Sequence, residues 1–239
     1  MLDEPVLSAW ASLRLEHGLP VRSFFSWPGK RNYEGSWWSS TTGSHVSFES
    51  LLERDFLMLA DYDQDVLGIA SQPFAVLWPK GTEGVRGHVP DFFLRLRDGS
   101  GRVVDVRHRD HLEAGSRQFA MTRALCEEAG WDYEVFSGIS EPRFSNLRWL
   151  SGYRLPRYAP TGTVVPVILE AVGSGISVSG AVRRAARMLM LEPSIVQAHL
   201  LHLAFVGILD VGLDESLSMD AWIAPSQEML PMSSLAAAS

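Results

Sequence analysis

"HVPDFFLRLRDGSGRVVDVRHRDH", residues 88–111, sets two apolar runs among closely spaced ionisable groups. It opens on Pro90-Asp91, runs through "DFFLRLRD", turns at Gly99 and Gly101 and returns through "RVVDVR". Two apolar runs separated by a glycine-containing turn read as a β-hairpin. Alternate residues of a strand face the same side, so Asp105 and Arg107 share one face while Val104 and Val106 share the other. A charge among apolar sheet neighbours is costly unless it has a partner. Asp91 opens the preceding strand, where it is placed to approach Asp105. Two carboxylates at one sheet edge repel unless a cation lies between them, and hard divalent ions such as Mg²⁺ prefer oxygen ligands of this kind. A third carboxylate is on offer upstream. "HVSFESLLERDFLMLADYD" (45–63) has helical apolar spacing, with Ser47 as its expected cap and Glu49 and Glu53 four residues apart on one face.

The chain has 239 residues, 46% apolar and 21% charged, the composition of a globular protein with a packed core. The single Cys126 excludes an intramolecular disulfide and suits a reducing compartment. The opening residues "MLDEPVLSAW" are acidic, unlike a signal peptide, and no apolar run reaches the roughly 18 residues of a membrane span. No membrane association is therefore expected, and the cytoplasm is the expected location. With a formal net charge of −7, a basic surface for nucleic acid has to be local. Only Lys30 and Lys80 are lysines; every other basic residue is arginine.

Residues 1–44, rich in Gly, Ser and aromatics beyond a short helix, read as an extended N-terminal arm. Residues 45–155 read as helix, strands, helix, strand: a small mixed sheet with helices packed on it. "LEAGSRQFAMTRALCEEAG" (112–130) is the second helix, stopped by Gly130, and "WDYEVFSG" (131–138) the last strand. "GYRLPRYAPTGT" (152–163) carries two prolines and two glycines and reads as a domain boundary near Pro156 to Gly162. Beyond it, 161–223 shows three helix-like pieces and a short "ILDV" strand, the pattern of a winged helix, and 224–239 reads as a disordered tail.

Taken singly, each feature of the hairpin has an ordinary explanation. Asp91 can cap the turn after Pro90, and Asp105 can pair with Arg107 on an edge strand. The order of the whole set is more specific: a helix carboxylate, then Pro-Asp opening a hairpin, then Asp-x-basic on the return strand. In this order the chain resembles the PD-(D/E)xK nucleases, and more closely the N-terminal endonuclease domain of TnsA-type heteromeric transposases. The resemblance is carried by "SLLERDFLMLADYDQDVLGIASQPF" (50–74), "HVPDFFLRLRDGSGRVVDVR" (88–107) and "WDYEVF", while "RSFFSWPGKRNYEGSWWSSTTGSHVSFES" is similar to actinobacterial members. It implies a restriction-endonuclease-like mixed sheet flanked by helices, followed by a small winged-helix-like domain. It further implies Mg²⁺ (or Mn²⁺) as cofactor, DNA as substrate, and the transposase and ATPase subunits of a bacterial heteromeric transposase as partners.

Position by position, the resemblance makes Glu53 the helix carboxylate, with Glu49 the competing choice, and Asp91 the metal-bridging carboxylate. Asp105 stands where the family has an acidic or amide residue, and the resemblance implies that Glu53, Asp91 and Asp105 converge on one site and hold the metal together. Arg107 stands where the family has its catalytic lysine, which is a departure. Arginine supplies a fixed, bidentate charge to phosphate but is bulkier than lysine and is no proton carrier. Lys80, eleven residues before Asp91, is an alternative source of that charge, although a loop lysine is the more ordinary reading. His88 is a candidate phosphate contact or a plain strand residue, and Gln72 with Pro73 is expected to fix a strand turn near the site. "RHRDH" (107–111) lacks a second ligand set at zinc spacing and reads as a DNA-facing edge. Trp37 and Trp38 suit packing better than base stacking, and Cys126 has no environment that would make it a nucleophile. The third helix-like piece of 161–223, "PSIVQAHLLHLAFVG", holds neither Lys nor Arg, and residues 161–239 carry a net −4, so a protein-contact role is expected of that module. Two functions follow: a metal-dependent endonuclease subunit that cuts one strand at a transposon end, or an inactive nuclease-fold adaptor for DNA ends or proteins. Arg107 is the feature that separates them.

Overall fold

A computed structural model describes residues 10, 12–22, 33–79 and 87–227. Lys80 and the last twelve residues lie outside the described residues, as do residues 23–32 of the aromatic arm. The chain divides into two compact units, Met1–Gly138 and Ile139–Ser239.

The first unit is built on a four-stranded mixed sheet of order β3-β6-β7-β8. Its strands are β3 (Val66–Ser71), β6 (Phe92–Leu96), β7 (Gly101–Val106) and β8 (Asp132–Phe136). The hairpin read from the sequence is β6–β7, antiparallel, with Phe92 opposite Val104 and Phe93 opposite Val103. β8 pairs parallel to β7, placing Val103 beside Tyr133 and Val106 beside Phe136. A parallel neighbour requires a crossover, and helix α2 (Leu112–Ala129) supplies it. That helix ends at Gly130 with φ 72°, a left-handed stop that glycine adopts without penalty.

Period two assigns each side chain a face. Phe92, Val104 and Phe136 meet helix α1 (Leu51–Tyr62), where Phe56 lies 5.1 Å from the Phe92 ring and 5.3 Å from Phe136. Phe93 and Val103 turn to the other face, packing with Cys126, Ala129 and Trp131 below α2. Both phenylalanines are fully buried, each contributing on the order of 2–3 kcal/mol of transfer free energy.

Two expectations are corrected here. The stretch 45–63 is not one helix capped at Ser47. Residues Ser44–Phe48 form strand β2, paired with β1 (Gly35–Ser39) inside what read as an irregular arm, and the helix starts at Leu51. The true cap is Ser50: its Oγ accepts from the Glu53 amide and donates to Glu53 Oε1, while the Glu49 amide donates to Oε2. Ser50-x-x-Glu53 is thus a capping box. It outcompetes Ser47, whose backbone is already paired across the hairpin opposite Ser36.

The β1–β2 hairpin is fastened to α1 by a buried carboxylate that sequence reading passed over. Asp61 accepts from Trp37 Nε1 at 3.0 Å, Ser39 Oγ at 2.7 Å and the Ser40 and Thr41 amides at 3.1 and 2.9 Å. Trp37 is accordingly a core residue, 8% exposed. Asp61→Ala leaves these donors without an acceptor and should cost about 2–3 kcal/mol, read as a lower denaturation midpoint in urea with an unchanged slope.

The second unit holds α3 (Arg143–Leu150), α4 (Val164–Val172), α5 (Val178–Leu189) and α6 (Pro193–Phe205). A three-stranded sheet of order β10-β11-β9 accompanies them: Leu209–Val211, Trp222–Pro225 and Ile176–Ser177. The division falls earlier than the expected boundary at 156–162. Helix α3 belongs to this unit because the Asn146 amide donates to the Leu213 and Glu215 carbonyls, both at 2.7 Å, and Asn146 Oδ1 accepts from Leu217 N at 2.9 Å. Nor does the tail begin at 224, since Ala224 and Pro225 pair with Asp210 and Leu209. No single helix among the described residues is long and apolar enough to cross a membrane.

Candidate functional site

A cleft of about 830 Å³ opens at the ends of β6 and β7 in the first unit, lined by Glu49, Glu53, His88, Asp91, Val106, Arg107, His108, His111 and Gln118 among others. Each candidate arrives by a different element. The capping box fixes Glu53 at the start of α1, with both carboxylate oxygens accepting hydrogen bonds from the residues before the helix. Glu49, the competing residue, is held by Arg22 Nη2 at 2.7 Å. Asp91 sits in the bend just before β6. Its Oδ2 accepts from the Val106 amide at 2.7 Å, so the last turn of β7 anchors the carboxylate at the hairpin's open end.

Gln72 acts through its backbone. Held at φ 48°, an uncommon angle for a side-chain-bearing residue, it donates its amide to the Asp91 carbonyl at 2.8 Å and accepts from Val21 N at 3.0 Å. Its side-chain Oε1 is buried without a hydrogen-bond partner. Gln72 therefore fixes the bend that carries Asp91, as expected, without itself lining the cleft.

Asp105 lies elsewhere. It is 1% exposed, on the sheet face of Phe93 and Val103, behind the cleft wall. Both its oxygens lie 2.9 Å from His88 Nε2, and the Tyr133 hydroxyl donates to Oδ2 at 2.5 Å. His88 presents its other nitrogen, Nδ1, to the Gln118 amide nitrogen at 2.7 Å. His88 is thus a strand residue with both nitrogens engaged, and Gln118 is a cleft residue that no sequence motif marks. Arg107 follows β7, its amide donating to Phe136 O at 2.9 Å. Its guanidinium sits over the Phe119 ring at 5.9 Å, and its buried Nε has no hydrogen-bond partner.

The electrostatics single out the pair Glu53 and Asp91. Burial pushes the Glu53 carboxyl above the ordinary carboxylate range, against the hydrogen bonds from Glu49 and Ser50. Asp91 is pushed up to about 8, first by burial and then by the negative charge of Glu53; the Val106 amide and Arg107 oppose this, and Asp105 adds to it. Two half-buried carboxylates, Glu53 raised by burial and Asp91 raised by burial and by the charge of Glu53, form a site short of positive charge, the condition a divalent cation relieves. Among the described residues no three His, Cys, Asp or Glu side chains are gathered to hold a metal ion. Two carboxylates still fit Mg²⁺, which is usually held by one or two carboxylates together with substrate phosphates and water. Cys126, which burial pushes up to about 12, carries no nucleophile chemistry.

A pH dependence follows. Folded Asp91 keeps its proton up to about pH 8, whereas the unfolded residue loses it near 3.8. Between these values unfolding releases a proton, so rising pH favours the unfolded chain. In chelator, thermal stability should fall across this window and level off above it. Asp91→Asn should flatten that slope in a series of unfolding curves, since an amide oxygen still accepts from Val106 and does not titrate.

Residues 63–138 match the family described as TnsA-like endonuclease N terminal. The match contains Asp91, Asp105 and Arg107, begins just after α1, and ends at Gly138, where the first unit ends. No curated protein matches the chain.

Proposed function

We propose that this chain, whose first unit is a TnsA-type nuclease domain, is the DNA-cleaving subunit of a heteromeric transposition system and hydrolyses one strand at transposon ends with Mg²⁺ or Mn²⁺. The observation that carries the reading is that Glu53 and Asp91, both half-buried, line one cleft together with Arg107, with the Asp91 carboxyl raised by burial and by the charge of Glu53. A divalent ion there supplies Lewis acidity toward the phosphate and a water acidified for attack at neutral pH. Glu53 is oriented by its capping box and Asp91 by the Val106 amide, so neither has to be ordered when substrate arrives. Arg107, whose guanidinium lies over Phe119 at the cleft wall, offers its positive charge to a non-bridging phosphate oxygen and keeps that charge throughout. His108 and His111, both exposed, line the cleft on the stretch expected to face DNA.

From α4 onward the second unit runs helix, short strand β9, two helices and two further strands, an order that supports the winged-helix reading. Its last helix, α6, has no Lys or Arg with which to grip a DNA backbone. We assign it to protein contacts with the transposase and ATPase subunits rather than to reading DNA. Supercoiled plasmid bearing a transposon end, incubated with the full chain, the partner transposase and Mg²⁺ or Mn²⁺, tests the reading. Nicking that requires metal and Asp91 supports it. An intact plasmid with every metal and partner combination overturns it.

A further inference from the structure

We propose that Asp105 is a positioning residue and not a cation ligand, so that among side chains Glu53 and Asp91 alone hold the cation. This rests on the nuclease reading above. Three observations carry it. First, the sheet separates the groups: Glu53 comes from α1, which covers the Phe92 and Val104 face, while Asp105 lies on the opposite face with Phe93 and Val103. Only Asp91, at the open end of the hairpin, is free of that constraint. Second, Asp105 is closed off. At 1% exposure it does not line the cleft, and its oxygens accept from His88 Nε2 and from Tyr133 Oη. Third, what lines the cleft in its place is the pair His88 and Gln118.

The chemistry of the chain Tyr133, Asp105, His88, Gln118 is self-consistent. A carboxylate only accepts, so His88 carries its proton on Nε2; Nδ1 is then the acceptor for the Gln118 amide. Gln118 donates one N–H to the ring and keeps its second N–H and its carbonyl oxygen for the cleft. Asp105 therefore acts on the site through His88, whose fixed ring sets the orientation of Gln118. A cation with only two carboxylates leaves its other positions to phosphate oxygens and water, the arrangement Mg²⁺ favours at phosphoryl sites.

The test uses the full chain and two readouts besides cleavage. Calorimetric titration with Mn²⁺ should show Asp91→Asn losing about an order of magnitude or more in affinity, since a ligand charge is removed, and Asp105→Asn losing far less. In proton NMR, the hydrogen-bonded His88 Nε2–H resonance, assigned by its disappearance in His88→Gln, should move in Asp105→Asn and Tyr133→Phe. In the wild type it should stay in place at saturating Mg²⁺. A resonance shifted by Mg²⁺, or an Asp105→Asn loss equal to that of Asp91→Asn, overturns the positioning role and leaves the nuclease reading standing. If Asp105→Asn does not fold, the Mg²⁺ titration of the wild-type resonance decides alone. No Mn²⁺ binding by the wild type, or binding undiminished in Asp91→Asn, overturns the nuclease reading and this inference with it.

Discussion

Asp91→Asn should abolish metal-dependent nicking, by on the order of a thousandfold or more in single-turnover rate, while leaving the fold intact. The separation of the two effects is what makes the variant informative. The carboxylate's structural task is to accept from the Val106 amide at 2.7 Å, and an asparagine oxygen does this equally well. Its second task, pairing with Glu53 around a positive charge, needs the anion. The amide also has no charge to lose to burial or to set against Glu53, the two effects that push Asp91 up to about 8. The variant should therefore be at least as stable as the wild type at neutral pH in chelator, and inactive. A matching loss of stability would show that the residue is only a turn cap. Cleavage should be compared at equal fractions folded, checked by circular dichroism.

Arg107→Ala should slow nicking by about a hundredfold or more, the usual cost of removing one preorganised donor to a developing oxyanion charge. The guanidinium is already placed: it lies over Phe119 and lines the cleft. Arg107→Lys should keep activity or raise it, because a compact ammonium can serve the same charge. Full activity in Arg107→Ala would place the cationic role on another residue, with Lys80 the next to replace.

The hairpin and the second helix are legible in the sequence because period-two alternation, the Gly99–Gly101 turn and the Gly130 stop all agree locally. Pro90-Asp91 was legible as the opening of a strand, and the cleft does form there. The β1–β2 hairpin was not legible. "GSWWS" and "SHVSF" are short and serine-rich, and their pairing depends on Asp61, a carboxylate on a later helix whose partners no local pattern announces. The capping box was half legible: "SLLE" was read for its glutamate, although Ser50 makes the same glutamate a helix cap. Asp105 shows the limit of alternation most clearly. Period two correctly placed it on the face opposite Val104 and Val106, but which helix covers that face, and that His88 and Tyr133 wait there, is tertiary information. The end of the first unit was misplaced for a similar reason, because Asn146 ties its helix to backbone around 213–217, nearly seventy residues on.

The central claim is that Glu53 and Asp91 jointly hold a divalent cation in this cleft. Its most direct test is an anomalous difference map from crystals of the full chain grown with Mn²⁺. A peak is expected within direct coordination distance of both carboxylates and out of reach of the Asp105 oxygens. A cleft without a peak at saturating Mn²⁺, or a peak that bypasses Asp91, would contradict it.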